Sequence, residues 1–125
     1  MNNYMSILGL RLRKYLYIYS VNYKILGVML KVVAFMKQVA VGLQMEGNFG
    51  TAHVYRSSLN AIIAYRGKGD FTFHEVTPEW LKSFEVHLRG RGCSWNTVST
   101  YLRTFRAVYN RAVDSGEVRY IPHLF

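Results

Sequence analysis

Acidic residues are scarce in this sequence, and their scarcity limits the chemistry that the chain can perform. The 125 residues include seven Asp or Glu against sixteen Lys or Arg, for a formal net charge of +9. So few carboxylates leave little material for acid–base catalysis or for a calcium site. The sequence also lacks a glycine-rich phosphate loop after a strand and a nucleophile elbow. We therefore expect that the chain is not itself an enzyme.

Cysteine is almost absent as well, since Cys93 is the single one. One cysteine cannot form an internal disulfide, and a reduced thiol indicates a cytoplasmic protein. The four histidines are scattered and do not combine with Cys93 in the spacing of a zinc site. Cys93 has no paired histidine, so it is interpreted as an ordinary loop residue. These absences predict no metal and no cofactor.

A long uninterrupted apolar run is missing too. The best candidate for a membrane span, Tyr15 to Met36, is interrupted by Lys24, Lys31 and Asn22, whereas a span needs about 20 mostly apolar residues. No small-residue cleavage site of a signal peptide follows it. We expect no membrane partner, and we interpret residues 1–27 as an N-terminal extension or extra helix of uncertain structure. A basic membrane-surface protein built on residues 10–36 remains an alternative.

Positive charge is abundant, and it is concentrated in two stretches. Residues 1–45 carry six Lys or Arg and no acid, and residues 86–113 carry five Arg and no acid. Isolated surface arginines are common, but acid-free stretches of this length are harder to explain as solvated surface alone. They favour a polyanionic partner such as nucleic acid.

Apolar residues recur at helical spacing in four segments, which predicts an all-α bundle. Thr51, Thr77 and Ser94 are predicted N-caps, and Pro78 stands at the first helical position. After the last helix, Ile121-Pro122 is expected to lead into an extended tail. The predicted helices run from about Val28 to Leu43, from Thr51 to Arg66, from Thr77 to Arg89 and from Ser94 to Val113.

The polar faces of the second and fourth helices combine basic, amide and hydroxyl side chains and lack acids. Such faces offer charge and hydroxyls to phosphates, and amides and guanidinium groups to base edges. Trp80 and Trp95 are interpreted as packing residues, although Trp95 against a DNA backbone is an alternative. The polar faces consist of His53, Arg56, Ser57 and Asn60 on the second helix and Asn96, Thr100, Arg103, Asn110 and Arg111 on the fourth.

Three segments resemble the core-binding domain of tyrosine recombinases, the phage-integrase family. In the first, Gly47, Thr51, Tyr55 and Leu59 stand at intervals of four, as at the start of that domain's second helix. The segment Val76-Thr77-Pro78-Glu79, followed by Phe84 and Leu88, is similar to its third helix. The stretch from Leu88 to Ala112 is similar to its last helix, with matching positions at Asn96, Thr97, Tyr101, Arg103, Arg106, Ala107, Tyr109, Asn110 and Ala112. The resemblance covers about residues 31–125.

The resemblance implies a four-helix SAM-like orthogonal bundle over residues 28–120 that forms half of a clamp around double-stranded DNA. Other recombinase protomers on the same DNA are implied as further partners. The family's catalytic Arg, Lys, His and Tyr belong to a second domain, so the chain is expected to be truncated before it, with residues 121–125 starting the linker. None of the ten tyrosines is then catalytic. The implied DNA-binding residues are Thr51, His53, Arg56, Ser57, Asn60, Asn96, Thr97, Thr100 and Arg103.

Another kind of small basic helical regulator remains an alternative to this family. A helix-turn-helix protein needs a turn of three to four residues before its recognition helix. The connection from Gly67 to Thr77 is longer than that. The sequence therefore favours the recombinase resemblance over this alternative.

Overall fold

A computed structural model describes residues 30–67 and 69–125 and places four α-helices there. A short 3₁₀ turn lies between the second and third helices, and the described part contains no strand, only an isolated bridge between Lys31 and Thr72. The predicted all-α, four-helix architecture is confirmed, whereas the prediction for residues 1–27 lies outside the described residues. The elements are α1 (Val32–Met45), α2 (Phe49–Arg66), the 3₁₀ turn (Phe73–Glu75), α3 (Pro78–Gly90) and α4 (Trp95–Asp114).

Helices α2 and α4 each contact all three of the other helices, and α2 packs most extensively against α1. The apolar stripes of the helices meet in one core that includes Phe35, Phe84 and Phe105, all fully buried. Phe71 and Phe73, from the connection between α2 and α3, fill the same core. This packing leaves the opposite faces of α2 and α4 at the surface. No helix of residues 30–67 and 69–125 is long and apolar enough to cross a membrane.

Two of the three predicted N-caps are confirmed by their hydrogen bonds. The Thr77 hydroxyl accepts the Trp80 N–H at 3.0 Å, with Pro78 at the first helical position. The Ser94 hydroxyl accepts the Thr97 N–H at 3.2 Å. These caps satisfy backbone donors that a helix start otherwise leaves open, so they fix where α3 and α4 begin.

The prediction that Thr51 caps α2 is wrong, because that helix begins two residues earlier, at Phe49. The turn after α1 is tight, and the Asn48 N–H reaches back to the Leu43 carbonyl at 2.9 Å. The Asn48 carbonyl then accepts the Ala52 N–H, also at 2.9 Å, so the helical ladder starts directly after the turn. Thr51 is consequently an exposed residue of the first turn of α2.

Helix α1 also begins later than the sequence predicted, at Val32 rather than near Val28. Its start is fixed by a distant carboxylate, because the two side-chain oxygens of Asp70 accept the Val33 and Ala34 N–H groups at 2.8 and 2.9 Å. The Val32 N–H donates to the Phe71 carbonyl at 2.8 Å. A residue from the α2–α3 connection therefore does the work of an N-cap for α1.

Replacement of Asp70 by Ala is expected to lower the free energy of unfolding by about 1–3 kcal/mol, because it removes two backbone acceptors at a helix N-terminus. Urea unfolding followed by far-ultraviolet circular dichroism measures the change. Glu79→Ala is the matched control, since this acid of the first turn of α3 lies in a helix that Thr77 already caps. Equal effects of the two substitutions would contradict the capping role of Asp70.

The connection between α2 and α3 is further held by Glu75. Its carboxylate accepts the Thr72 N–H at 3.0 Å and an Arg66 N–H at 3.2 Å. The backbone hydrogen bond from Thr72, with the neighbouring Arg66, lowers the pKa of the Glu75 carboxyl below its ordinary value. Glu75 therefore stays ionised under neutral conditions and keeps the turn closed.

The C-terminal segment folds back onto α4, whereas the sequence predicted an extended tail. The buried Tyr109 side chain accepts the Ile121 N–H at 2.7 Å through its hydroxyl, which also donates to the Arg119 carbonyl at 3.3 Å. Leu124 is buried, and the Phe125 ring lies 5.6 Å from that of Tyr109. The last residues are thus part of the bundle.

Candidate nucleic-acid interface

A surface groove of about 210 Å³ lies between the polar faces of α2 and α4. It forms because the two helices bury their apolar stripes against each other and leave short polar side chains along the seam. Five of the nine predicted DNA-binding residues meet in this groove, although they come from positions some 40 residues apart in the sequence. Its lining consists of His53, Val54, Ser57, Asn96, Thr97, Thr100 and Tyr101.

A second concavity adjoins this groove and shares Ser57 and Tyr101 with it. A sixth predicted residue, Asn60, lines it. Arg91 and Cys93 from the α3–α4 turn line it too, and neither was among the predicted site residues. Arg91 lies in the acid-free stretch of residues 86–113, which is the signal in the sequence that pointed to it.

The remaining three predicted residues lie outside both concavities, and all three are exposed. Arg103 is near the rim of the groove, with its guanidinium 3.5 Å from the Thr100 hydroxyl. Arg56 instead donates a hydrogen bond to the Gln44 side chain on α1. Thr51 is one helical turn before Tyr55 in α2 and has no lining role.

Hydrogen bonds within α4 orient its part of the groove. The Thr100 hydroxyl donates to the Asn96 carbonyl at 2.9 Å. At the N-cap, the Ser94 hydroxyl donates to the Thr97 hydroxyl at 3.1 Å. No hydrogen bond joins the side chain of His53 or Asn96 to another group of residues 30–67 and 69–125. The groove therefore combines fixed hydroxyls with an imidazole and an amide that are available to a ligand.

Negative charge is absent from the lining of both concavities. The two ion pairs found in residues 30–67 and 69–125, Arg66–Glu75 and Lys82–Glu85, involve other parts of the bundle. Arg91, which lines the second concavity, and Arg103, beside Thr100, therefore lie at this surface without a neutralising carboxylate in its lining. In the described part of the chain, no group of three or more His, Cys, Asp or Glu is arranged to hold a metal ion.

The interpretation of Trp95 as a packing residue is wrong, whereas the same interpretation of Trp80 is right. Trp80 stacks on Phe71 at 5.5 Å, inside the bundle. Trp95 is 60% exposed at the start of α4, directly before Asn96. The Arg89 guanidinium lies over its ring, 4.1 Å from the centroid. Nothing in the helical periodicity distinguishes these two tryptophans.

Fold and site together define a small all-helical bundle whose surface carries an acid-free, polar groove between two of its helices. Residues 31–123 match the family model described as the phage integrase SAM-like domain. The chain therefore belongs to the family of phage integrase SAM-like domains, and the family resemblance seen in the sequence is confirmed. The SAM-like fold class is confirmed with it.

No curated protein and no solved structure matches the chain. The division of the chain at residues 27 and 120 stays a prediction.

Proposed function

We propose that this chain binds double-stranded DNA as the core-binding clamp domain of a tyrosine recombinase, in DNA integration or recombination. The observation that carries the proposal is the groove in which His53 and Ser57 of α2 meet Asn96, Thr97 and Thr100 of α4. The family resemblance assigns these same five residues to DNA binding. Membership in the phage integrase SAM-like family supports the recombination context.

The chemistry of the groove fits a duplex. Hydroxyl groups and arginines serve as phosphate ligands that position a protein on DNA, whereas amides and imidazoles read base edges. Arg103, at the rim, supplies the charge, and His53 and Asn96 supply the unpartnered polar groups. In this proposal one duplex contacts α2 and α4 together, so the two helices act as a single surface.

The proposal assigns DNA positioning, and not strand cleavage, to residues 31–123. Cleavage by a tyrosine nucleophile is assigned to the catalytic domain that the family resemblance implies. Other recombinase protomers on the same DNA are the further partners in this proposal. The lining of the groove contains no carboxylate, and the described part of the chain holds no group of three or more potential metal ligands, so neither carboxylate-based nor metal-assisted hydrolysis is proposed for the groove.

Electrophoretic mobility shifts of a duplex at increasing salt concentrations test this function. We expect weak binding at low salt and a steep loss of affinity as salt rises, because arginine–phosphate contacts release counterions. The logarithm of the binding constant should fall linearly with the logarithm of the salt concentration. Binding that does not depend on salt, or no binding at low salt, would overturn the proposal.

A further inference from the structure

An exposed tryptophan and an arginine form a preorganised pair beside the groove. Trp95 is more exposed than any large apolar side chain of α4, and the Arg89 guanidinium covers its ring at 4.1 Å from the centroid. Arg89 is itself fixed, since it donates a hydrogen bond to the Cys93 carbonyl at 2.9 Å. The pair therefore holds a flat aromatic surface with an attached positive charge in one orientation, without burying it.

Such a surface is suited to a ligand that combines a flat aromatic ring with a negatively charged group. Aromatic side chains stack on nucleobases with little dependence on sequence, and arginine contributes a cation–π contact and charge for the adjacent phosphate. The pair lies in the acid-free stretch of residues 86–113, which also places Arg91 nearby in the chain. Charge and shape together fit a nucleotide.

Base pairing decides which nucleotide the pair can reach. Inside a duplex both faces of each base are covered by its neighbours in the stack, so an indole ring gains access only to a base that is unpaired or displaced. Trp95 directly precedes Asn96, which lines the groove, so one DNA molecule in the groove lies within reach of the pair. The geometry therefore points to DNA in which a duplex adjoins an unpaired base.

We propose that Arg89 and Trp95 form a stacking platform for an unpaired base of DNA, next to the duplex held in the groove. This inference rests on the proposed function, because the groove supplies the contacts to the duplex. It adds a preference that the groove alone does not explain, namely tighter binding of DNA that contains an unpaired base.

The test compares two probes with the full chain at one salt concentration, a fully paired duplex and the same duplex with a single bulged thymidine. Fluorescence anisotropy is expected to show about five- to tenfold tighter binding of the bulged duplex, as one stacked base provides. Trp95→Ala should abolish this preference, and Trp95→Phe should retain part of it. Tyr120→Ala is the matched control, since Tyr120 is an aromatic side chain of similar exposure on the C-terminal segment, and it should keep the preference.

Acrylamide quenching of tryptophan fluorescence gives a second readout. The bulged duplex should protect the wild-type chain from quenching more than the paired duplex does, and Trp95→Phe should lose this difference. Equal affinities of the wild type for both probes, or an unchanged preference in Trp95→Ala, would overturn the stacking platform and leave the groove proposal standing. Failure of the paired duplex to bind at low salt would overturn the groove proposal instead.

Discussion

Replacement of Phe105 by Ala is expected to lower the free energy of unfolding by about 3–5 kcal/mol, the largest effect on stability among these predictions. The Phe105 side chain is fully buried. Rings from three other segments surround it, with centroids at 6.5 Å for Phe73, 5.7 Å for Trp80 and 5.7 Å for Phe125. Because these rings belong to different elements, they cannot all move inward, and the substitution leaves a cavity.

Urea unfolding followed by circular dichroism measures this loss. Ser99→Ala is the control on the same helix, since Ser99 is exposed and its substitution should change stability by no more than about 0.5 kcal/mol. A loss below about 1 kcal/mol for Phe105→Ala would show that the site collapses easily, and that the C-terminal segment is not packed on α4 as the structure describes.

The helices and their buried faces were predictable because they depend on local sequence. Phe105 lies on an apolar stripe with a helical period, and residues on such a stripe are expected to be buried. Thr77 with Pro78, and Ser94, are local cap signals and were confirmed as such. Each of these inferences uses residues within a few positions of one another, where the geometry of a helix leaves few alternatives.

Contacts between distant segments were not predictable from the same signals. Asp70 caps α1 from 36 and 37 residues away, and its position in a turn gave no indication of that role. The hydroxyl of Tyr109 holds the C-terminal segment by a hydrogen bond. Helical periodicity indicates which side of a helix is buried, but not the partner of a hydroxyl. Trp95 is a large aromatic residue of a type that is usually buried, and only the packing of the whole bundle leaves it exposed.

The candidate site shows the same limit. Helical periodicity placed His53, Arg56 and Ser57 on one polar face of α2. It does not indicate which other helix packs beside that face. The packing of α2 against α4 brings His53 and Ser57 to the groove, whereas Arg56 reaches Gln44 of α1 instead. The sequence therefore predicted part of the lining of the candidate site, and the tertiary contacts determined which of the predicted residues meet.

The double substitution Arg56→Ala, Arg103→Ala is expected to weaken duplex binding at least about tenfold, the largest effect on function among these predictions. Both side chains are exposed and neither is paired with a carboxylate in the described part of the chain. Their loss should leave the fold unchanged. If each contacts one phosphate, each substitution should also reduce the slope of the salt dependence by about 1.

The control has the same net charge and removes two exposed lysines, Lys37→Ala with Lys82→Ala. Lys37 belongs to α1 and Lys82 to α3, so neither is on the two helices that form the groove, whereas Arg103 lies 3.5 Å from the Thr100 hydroxyl in its lining. Lys82 is also paired with Glu85 at 3.1 Å. If only total charge attracted the DNA, the two double variants would weaken binding equally, and the groove would have no special role. If Arg103→Ala alone weakens binding while Arg56→Ala does not, the interface is confined to the groove, because Arg56 is the member of the pair that contacts α1.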